Sequence, residues 1–336
     1  MSSLSAVAQF EHLREGVLGS LLSRQNLTTG YWEYRTEQGA IEPTCLALLA
    51  LRNHGEPLGT THIRPIRGYR RSRTIQNTLE RLAHEQNPNG SWSAFQGDDQ
   101  TGCWTTALAA ITLLQTSAPI DRLHRAIHWI LDSCGHEASC FWRWRFKTVD
   151  NSVKFDPSLY GWSWVSGTTS WAIPTAFSLI ALREAKRRDL NRSPRLIERI
   201  DIGVSMLLDR ACPRGGWNAG NGMAFGVPFA PYIDATAIVL LALSEHKKEP
   251  GVRSSLDWLV ERLPGCPSPY SLAWGILALA AYREMSGKVN ETVGRATKEL
   301  TALIEREVGT DDVCTLAICA LALEAVGGDN VFEVRG

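Results

Sequence analysis

Six short runs rich in alanine and leucine recur along the chain: Thr44–Leu51, Thr106–Leu113, Thr175–Leu182, Thr236–Leu243, Ser271–Tyr282 and Cys314–Leu323. Four carry the core T-A-x-x-L-x-A-L or a close variant of it. Each run is apolar nearly all round, which predicts a helix buried on every side. A different kind of segment precedes each one, with apolar residues at i, i+3/i+4 and i+7. These stripes are Phe10, Leu13, Val17, Leu21; Ile75, Leu79, Leu82; Leu123, Ile127, Ile130; Ile197, Ile200, Val204, Leu207; Leu256, Leu259, Leu263; and Val293, Leu300, Ile304. That spacing predicts exposed helices with one buried face.

Six exposed helices alternating with six buried ones predict an all-α fold, a closed α6/α6 toroid with an inner ring inside an outer one. An open superhelix is the alternative. It would leave one face of each inner helix wet, which the all-round apolar runs disfavour. No strand pattern competes and no linker interrupts the repeats. The chain therefore reads as a single domain over residues 1–336.

Composition narrows the picture. With 336 residues, 44% of them hydrophobic, the chain has ample material for a large core. Its zero formal net charge argues against an electrostatic nucleic-acid binder. No apolar run reaches the roughly 18–20 residues of a membrane span. The polar start, MSSLSAVAQFEHLREG, does not read as a signal peptide. Eight cysteines show no CxxC spacing, and Cys45, Cys103, Cys314 and Cys319 fall in apolar runs, as small core residues do. A reduced, cytoplasmic protein is the expectation. The pattern sets no oligomeric state.

The connections hold most of the remaining information. Gly-x-Trp turns lead from outer to inner helices at Gly30–Trp32, Gly90–Trp92 and Gly215–Trp217, the first two preceded by Gln25 and Gln86. The connection over residues 55–73 is basic, with Arg64, Arg67, Arg70, Arg71 and Arg73, and reads first as solvated surface. The longest connection, 135–169, contains CFWRWRFK and then Tyr160, Trp162 and Trp164. A loop of that length is either functional or a surface loop pinned by aromatics. It leaves an outer helix for an inner one, so it could roof the mouth of the ring.

With these features the chain resembles the prenyltransferase and squalene oxidase repeat superfamily. Its members include squalene–hopene cyclases, the β-domain of class II diterpene cyclases and the β-subunits of protein prenyltransferases. The resemblance rests on the Gln–Trp motifs at Gln25–Trp32 and Gln86–Trp92, the Gln-less turn at Gly215–Trp217, and the repeated inner helix. It implies an α6/α6 toroid around an apolar cavity, and Trp32, Trp92 and Trp217 that are structural.

Aligning the inner runs places Glu42, Trp104, Ile173, Asp234, Tyr270 and Asp312 at one equivalent position, two residues before the threonine or its counterpart. Acids and aromatic faces would then converge on one mouth. The family's class II cyclases protonate an alkene or epoxide with the middle Asp of Asp-x-Asp-Asp-Thr-Ala, and aromatic faces guide the cation. The matching stretch here is Tyr232-Ile233-Asp234-Ala235-Thr236-Ala237. Asp234 falls on the donor position, while Tyr232 and Ala235 replace the other two acids. Asp234 reads either as a proton donor or as a cap of its helix. The candidate cavity aromatics are Trp104, Trp171, Phe225, Phe229, Tyr232, Tyr270 and Trp274. Glu42 and Asp312 complete the rim. Arg143 and Arg145 would hold a diphosphate if the substrate has one.

Asp98, Asp99, Asp311 and Asp312 read first as helix N-caps. Asp312-Val313-Cys314 has the Asp-x-Cys spacing of a prenyltransferase zinc site, but no histidine falls at the matching end, so no metal site is expected. No cofactor is implied, and magnesium would enter only with a diphosphate substrate. The leading expectation is a class II-like terpene cyclase or isomerase acting on a linear isoprenoid. The alternatives are a non-catalytic isoprenoid or lipid binder of the same fold and, behind it, a carbohydrate-active α6/α6 enzyme.

Overall fold

The computed structural model describes residues 3–34, 39–57, 69–71, 73–98, 101–116, 119–149, 155–306 and 311–334, with side chains described throughout except in 3–10, 55–57 and 69–71. The protein is predominantly helical. The amphipathic segments form α1 (Ser3–Ser23), α3 (Arg73–His84), α5 (Ile120–Asp132), α8 (Pro194–Asp209), α10 (Pro250–Arg262) and α12 (Gly287–Glu305). The apolar runs form α2 (Ile41–Ala50), α4 (Thr105–Thr116), α7 (Ala172–Arg187), α9 (Ile233–Ala242), α11 (Pro269–Ala281) and α13 (Val313–Val326). One further helix, α6 (Cys140–Thr148), lies in the long connection.

Each apolar helix packs on the next in the order α2, α4, α7, α9, α11, α13, and α13 packs back on α2. That closed cycle explains why these helices carry no polar face. In α9 every residue from Ala235 to Ala242 is buried, and α13 is buried from Val313 through Leu323. The amphipathic helices cover the cycle with their stripes: Ile75, Leu82, Ile127, Ile130, Leu259 and Leu300 are all buried. One stripe differs from expectation. In α8 the buried line is Leu196, Ile200, Val204 and Leu207, while Ile197 is half exposed because it stands one residue off that face. The side chain of Phe10 lies outside the described ones.

A single hydrogen-bond unit joins helices within four pairs. The Trp32 indole N–H donates to the Leu21 carbonyl at the end of α1, and its backbone N–H donates to the Thr44 hydroxyl of α2. Trp92 joins Leu82 to Thr106 in the same way, and Trp217 joins Leu207 to Thr236. Trp162 joins Ile130 to Thr175, so Gly161–Trp162 is a fourth turn of this type inside the long connection. These four indoles are nearly or fully buried. Each unit satisfies a carbonyl orphaned at one helix end while holding the first turn of the next helix.

The turns also reach the neighbouring pair. Gln25 donates to Thr78 of α3, and Gln86 donates to the Arg122 carbonyl of α5. Gly90 and Gly215 have left-handed φ of 95° and 87°, and a Cβ there would stand 2.4 Å from the Arg125 carbonyl oxygen and 2.6 Å from that of Ser254. Only glycine lets the turn approach the next outer helix so closely.

Two short hairpins depart from the all-helical expectation: β1 (Gly55–Pro57) with β2 (Tyr69–Arg71), and β3 (Met223–Ala224) with β4 (Val227–Pro228). Both are confined to connections, where two or three residues pair locally. Arg64 and Arg67 lie outside the described residues, as do the side chains of Arg70 and Arg71; Arg73 is exposed.

Trp217→Phe keeps the ring but leaves the buried Leu207 carbonyl without its donor, at a cost of about 1–3 kcal/mol. Thermal and urea unfolding midpoints should fall accordingly, and Thr236→Val should produce a loss of similar size. Unchanged midpoints would mean that the turns do not fasten the pairs.

Candidate functional site

Four inner helices are brought into register by the Trp–Thr bonds. Glu42, Trp104, Ile173 and Asp234 each stand two residues before a threonine so held. Together with Tyr270 and Asp312 they share one property: all six are partly exposed, on helices otherwise buried almost throughout. Four residues further along stand Leu46, Leu108, Phe177, Ile238, Trp274 and Leu316, none more than 3% exposed. Solvent therefore reaches the first turn of the inner helices and stops one turn below.

The electrostatics centre on Glu42, in the first turn of α2. The Tyr34 hydroxyl donates to its carboxylate. Burial pushes Glu42 above the usual carboxylate range; the nearby Asp312 charge adds to that, and the Tyr34 bond opposes it. The Tyr270 phenol is pushed up chiefly by burial and then by Glu42, with Asp234 contributing. The Cys314 thiol is likewise raised by burial, Glu42 and Asp312. Glu42, Asp312, Tyr270, Tyr34 and Cys314 thus form one interacting group, and Asp234 acts on it from α9.

The three acids are held differently. Asp312 is the N-cap of α13, where its carboxylate accepts from the Thr315 amide at 2.7 Å and the Thr315 hydroxyl at 2.9 Å. It keeps the cap reading given to it by its position. Asp234 lies in the first turn of α9, but no side chain caps that helix, and its carboxylate accepts no hydrogen bond among the described residues. Glu42 accepts from the Tyr34 hydroxyl and is the acid raised by burial. Asp98 is exposed, Asp311 pairs with Arg24 at 3.4 Å, and Asp99 lies outside the described residues.

The aromatic candidates divide into two groups. Trp104 meets Trp164 edge to face, with centroids 5.0 Å apart, and Phe177 at 5.7 Å. Phe177 meets Trp274 at 6.0 Å, and Trp274 meets Tyr270 at 6.3 Å. Phe332 packs on Trp274 at 5.1 Å and on Phe177 at 6.2 Å. Trp104 and Tyr270, level with the acids, therefore join Phe177 and Trp274, one turn further along, in one chain of rings. Phe225, Phe229 and Tyr232 stand apart with exposures of 79%, 48% and 57%. Phe225 is at the tip between β3 and β4, in the left-handed region with φ 51°. Phe229 lines an outer groove of about 540 Å³ with Pro231, Ile233, Trp258 and Arg262. Trp171 precedes α7 and stacks over Gly220, where a Cβ would come within 3.1 Å of the indole.

The long connection is anchored more to the outer shell than to the acids. Fully buried Glu137 accepts from the Ser170 amide and pairs with Arg210 at 3.5 Å. Trp142 stacks on His136 at 4.1 Å, and Phe146 meets Phe155, over which Arg210 lies. Arg143 donates to the Ala138 carbonyl, and Arg145 lies 5.3 Å from the Trp142 ring. Both arginines are engaged locally on α6. The part of this connection that reaches the aromatic chain is Trp164.

Tyr34, Phe177 and Phe332 were not among the sequence candidates. Phe177 could have been found by extending the register one turn. Tyr34 follows a Gly-x-Trp turn and Phe332 follows the last helix, so no periodicity marks either.

Among the described residues no group of three or more His, Cys, Asp or Glu side chains is placed to hold a metal ion, and no helix is long and apolar enough to cross a membrane.

No family model matches the chain, and no characterised protein matches it by sequence. Solved structures do match. The type II terpene cyclase MstE from Scytonema, in a complex with geranylgeranyl dihydroxybenzoate as substrate, is 14% identical; the match covers 96% of this chain and 98% of that one with a TM-score of 0.58. The ent-copalyl diphosphate synthase from Streptomyces platensis is 19% identical over 86% of this chain and 50% of its own, with a TM-score of 0.52. A family 76 glycoside hydrolase from a bovine Bacteroides thetaiotaomicron strain is 11% identical over 96% of this chain and 78% of its own, with a TM-score of 0.60. The chain has a class II terpene cyclase-like fold, one it shares with that glycoside hydrolase.

Because burial raises Glu42, its penalty on folding builds as pH rises from the range of an unfolded carboxylate to the higher folded-state value and is complete above that. Glu42→Gln should therefore raise the melting temperature at pH above the folded-state value, with the gain shrinking as pH falls toward about 4 and absent below it. A gain independent of pH would show that Glu42 is not held neutral.

Proposed function

We propose that the protein is a class II-like terpene cyclase, an α6/α6 toroid whose mouth is the half-exposed first turn of the inner helices, and that it starts the reaction by protonating a linear isoprenoid. The observation that carries this reading is a partly exposed carboxyl, Glu42, that desolvation raises above its usual range and that interacts with Tyr270, one end of a chain of aromatic rings. An alkene is a weak base, so its protonation needs a neutral acid in a dry place. The resulting cation needs π-faces that cannot trap it as nucleophiles. Trp104, Phe177, Tyr270 and Trp274 supply them.

Glu42 is the proton donor in this reading. Tyr34 is 40% exposed and hydrogen-bonded to Glu42, so it can return a proton from solvent. Asp234, on the donor position of the family motif, stands three steps away around the cycle from α2. There it serves to accept the final proton. Asp312 is a cap whose charge adds to the upward push that burial gives Glu42. Trp171 and Tyr232 flank the mouth, and Arg143 and Arg145 form the outer cationic surface for a polar head group. A prenyl chain joined to a polar or aromatic head suits this layout, and the substrate of MstE is of that kind.

The test is incubation with geranyl, farnesyl and geranylgeranyl diphosphates, a prenylated dihydroxybenzoate and squalene, followed by extraction and gas chromatography–mass spectrometry. A cyclic product is expected from the wild type. Glu42→Gln should lower turnover at least 100-fold, while Asp234→Asn should retain initiation and alter the product mixture. Loss in Asp234→Asn with activity kept in Glu42→Gln would transfer the donor role to Asp234. Prenyl chains bound but never converted would make the protein an isoprenoid binder. Hydrolysis of an oligosaccharide in a parallel incubation would favour the carbohydrate-active reading.

A further inference from the structure

Thirteen large hydrophobic side chains stand exposed among the described residues, and all but Ile120, Ile197 and Met285 lie on connections from an outer helix to an inner one. The apolar exposure of the molecule is thus gathered at the mouth end. It is densest on the hairpin that precedes α9, where Phe225, Val227, Phe229 and Tyr232 all stand in solvent. No charged residue occurs from 215 to 233. Phe225 and Gly226, the two residues between β3 and β4, both have left-handed φ, 51° and 74°. A loop of that kind prefers Asn, Asp or Gly at its first position, and a bulky side chain there strains the backbone. Phe225 is 79% exposed, so packing within the chain does not offset the strain. The ring is displayed outward at the expense of the fold, which points to a contact outside the molecule.

We infer that this end of the molecule is a docking face for an anionic phospholipid bilayer, with the 223–228 hairpin inserting Phe225 and Val227 among the acyl chains. The charges behind the tip argue for lipid. Phe229, Pro231, Ile233 and Trp258 wall the groove of about 540 Å³ at the hairpin's base, and Arg214, Glu261 and Arg262 border it. Both arginines are exposed, and neither has an ion pair or hydrogen bond among the described residues. An apolar tip with guanidinium groups set back from it follows the order of a bilayer interface, acyl chains first and phosphates behind. The neighbouring connection repeats the composition. No residue of α6 is buried, its sequence CFWRWRFKT carries Arg143, Arg145 and Lys147 with no acid, and Phe141 and Trp144 are exposed. Aromatic and basic side chains together suit the interfacial layer of a membrane. The two features adjoin, since the Asp156 amide, beyond α6, donates to the Asp209 carboxylate at 3.0 Å and Arg210 lies over the Phe155 ring. The docking face uses neither the rim acids nor the chain of rings, so it does not rest on the cyclase reading.

The experiment is co-sedimentation of the protein with vesicles of phosphatidylcholine alone and of phosphatidylcholine mixed with phosphatidylserine, alongside a thermal melt of each variant. The wild type should partition onto the mixed vesicles about tenfold more strongly than onto phosphatidylcholine, and added salt should weaken that preference. Phe225→Gly frees the loop of its strain, so its melting temperature should hold or rise while its vesicle affinity falls about fivefold. A ring that only supported the fold would show the reverse. Arg214→Gln combined with Arg262→Gln should remove most of the preference for the anionic vesicles while Phe225 is still in place. Failure of the wild type to sediment with the mixed vesicles, or Phe225→Gly binding them as the wild type does, overturns the docking face. Self-association in sedimentation velocity that Phe225→Gly abolishes, without vesicle binding, overturns it in favour of a contact between copies of the chain.

Discussion

Helices without a polar face can exist in water only if something else covers every side, and their first-turn amides still need partners. The Trp–Thr bond meets the second need while the closed contact cycle meets the first. In four helix pairs an indole N–H satisfies the last carbonyls of the outer helix, and the same residue's backbone N–H reaches the inner-helix threonine. These bonds hold the equivalent threonine of four apolar helices against the preceding turn.

Exposure along the apolar helices changes abruptly within one turn. Where the first turns emerge, water reaches three carboxyl groups; one turn lower, apolar side chains close the interior. A carboxyl at that boundary is partly desolvated, and a second acid beside it makes ionisation harder still. Glu42 receives both influences, from burial and from Asp312. Asp312 itself is occupied as a helix cap, accepting two hydrogen bonds from Thr315.

The fold accommodates more than one chemistry, since it matches terpene cyclases and a glycoside hydrolase to similar degrees. One turn beyond the carboxyl groups of this chain, Leu46, Leu108, Phe177, Ile238, Trp274 and Leu316 form a layer without a hydroxyl group.

Periodicity alone determined the alternation of exposed and buried helices, because burial on one face or on all faces writes itself directly into residue spacing. It also marked the rim positions, since the repeated threonine supplied a register before any contact was known. The sequence was less informative wherever a contact joined segments without a shared period. Tyr34 follows a turn and Phe332 a terminal helix, and only packing carried them to Glu42 and to the rings of Phe177 and Trp274. The aromatic loop residues Phe225, Phe229 and Tyr232 read as cavity residues from their chemistry, yet a hairpin and a helix start left them at the surface. Among the equivalent acids the sequence marked Asp234 by motif, whereas the upward shift of Glu42 by burial and a neighbouring charge could be read only from the assembled structure. Proton affinity depends on what surrounds a carboxyl from every side, and that is a property of the assembled helices.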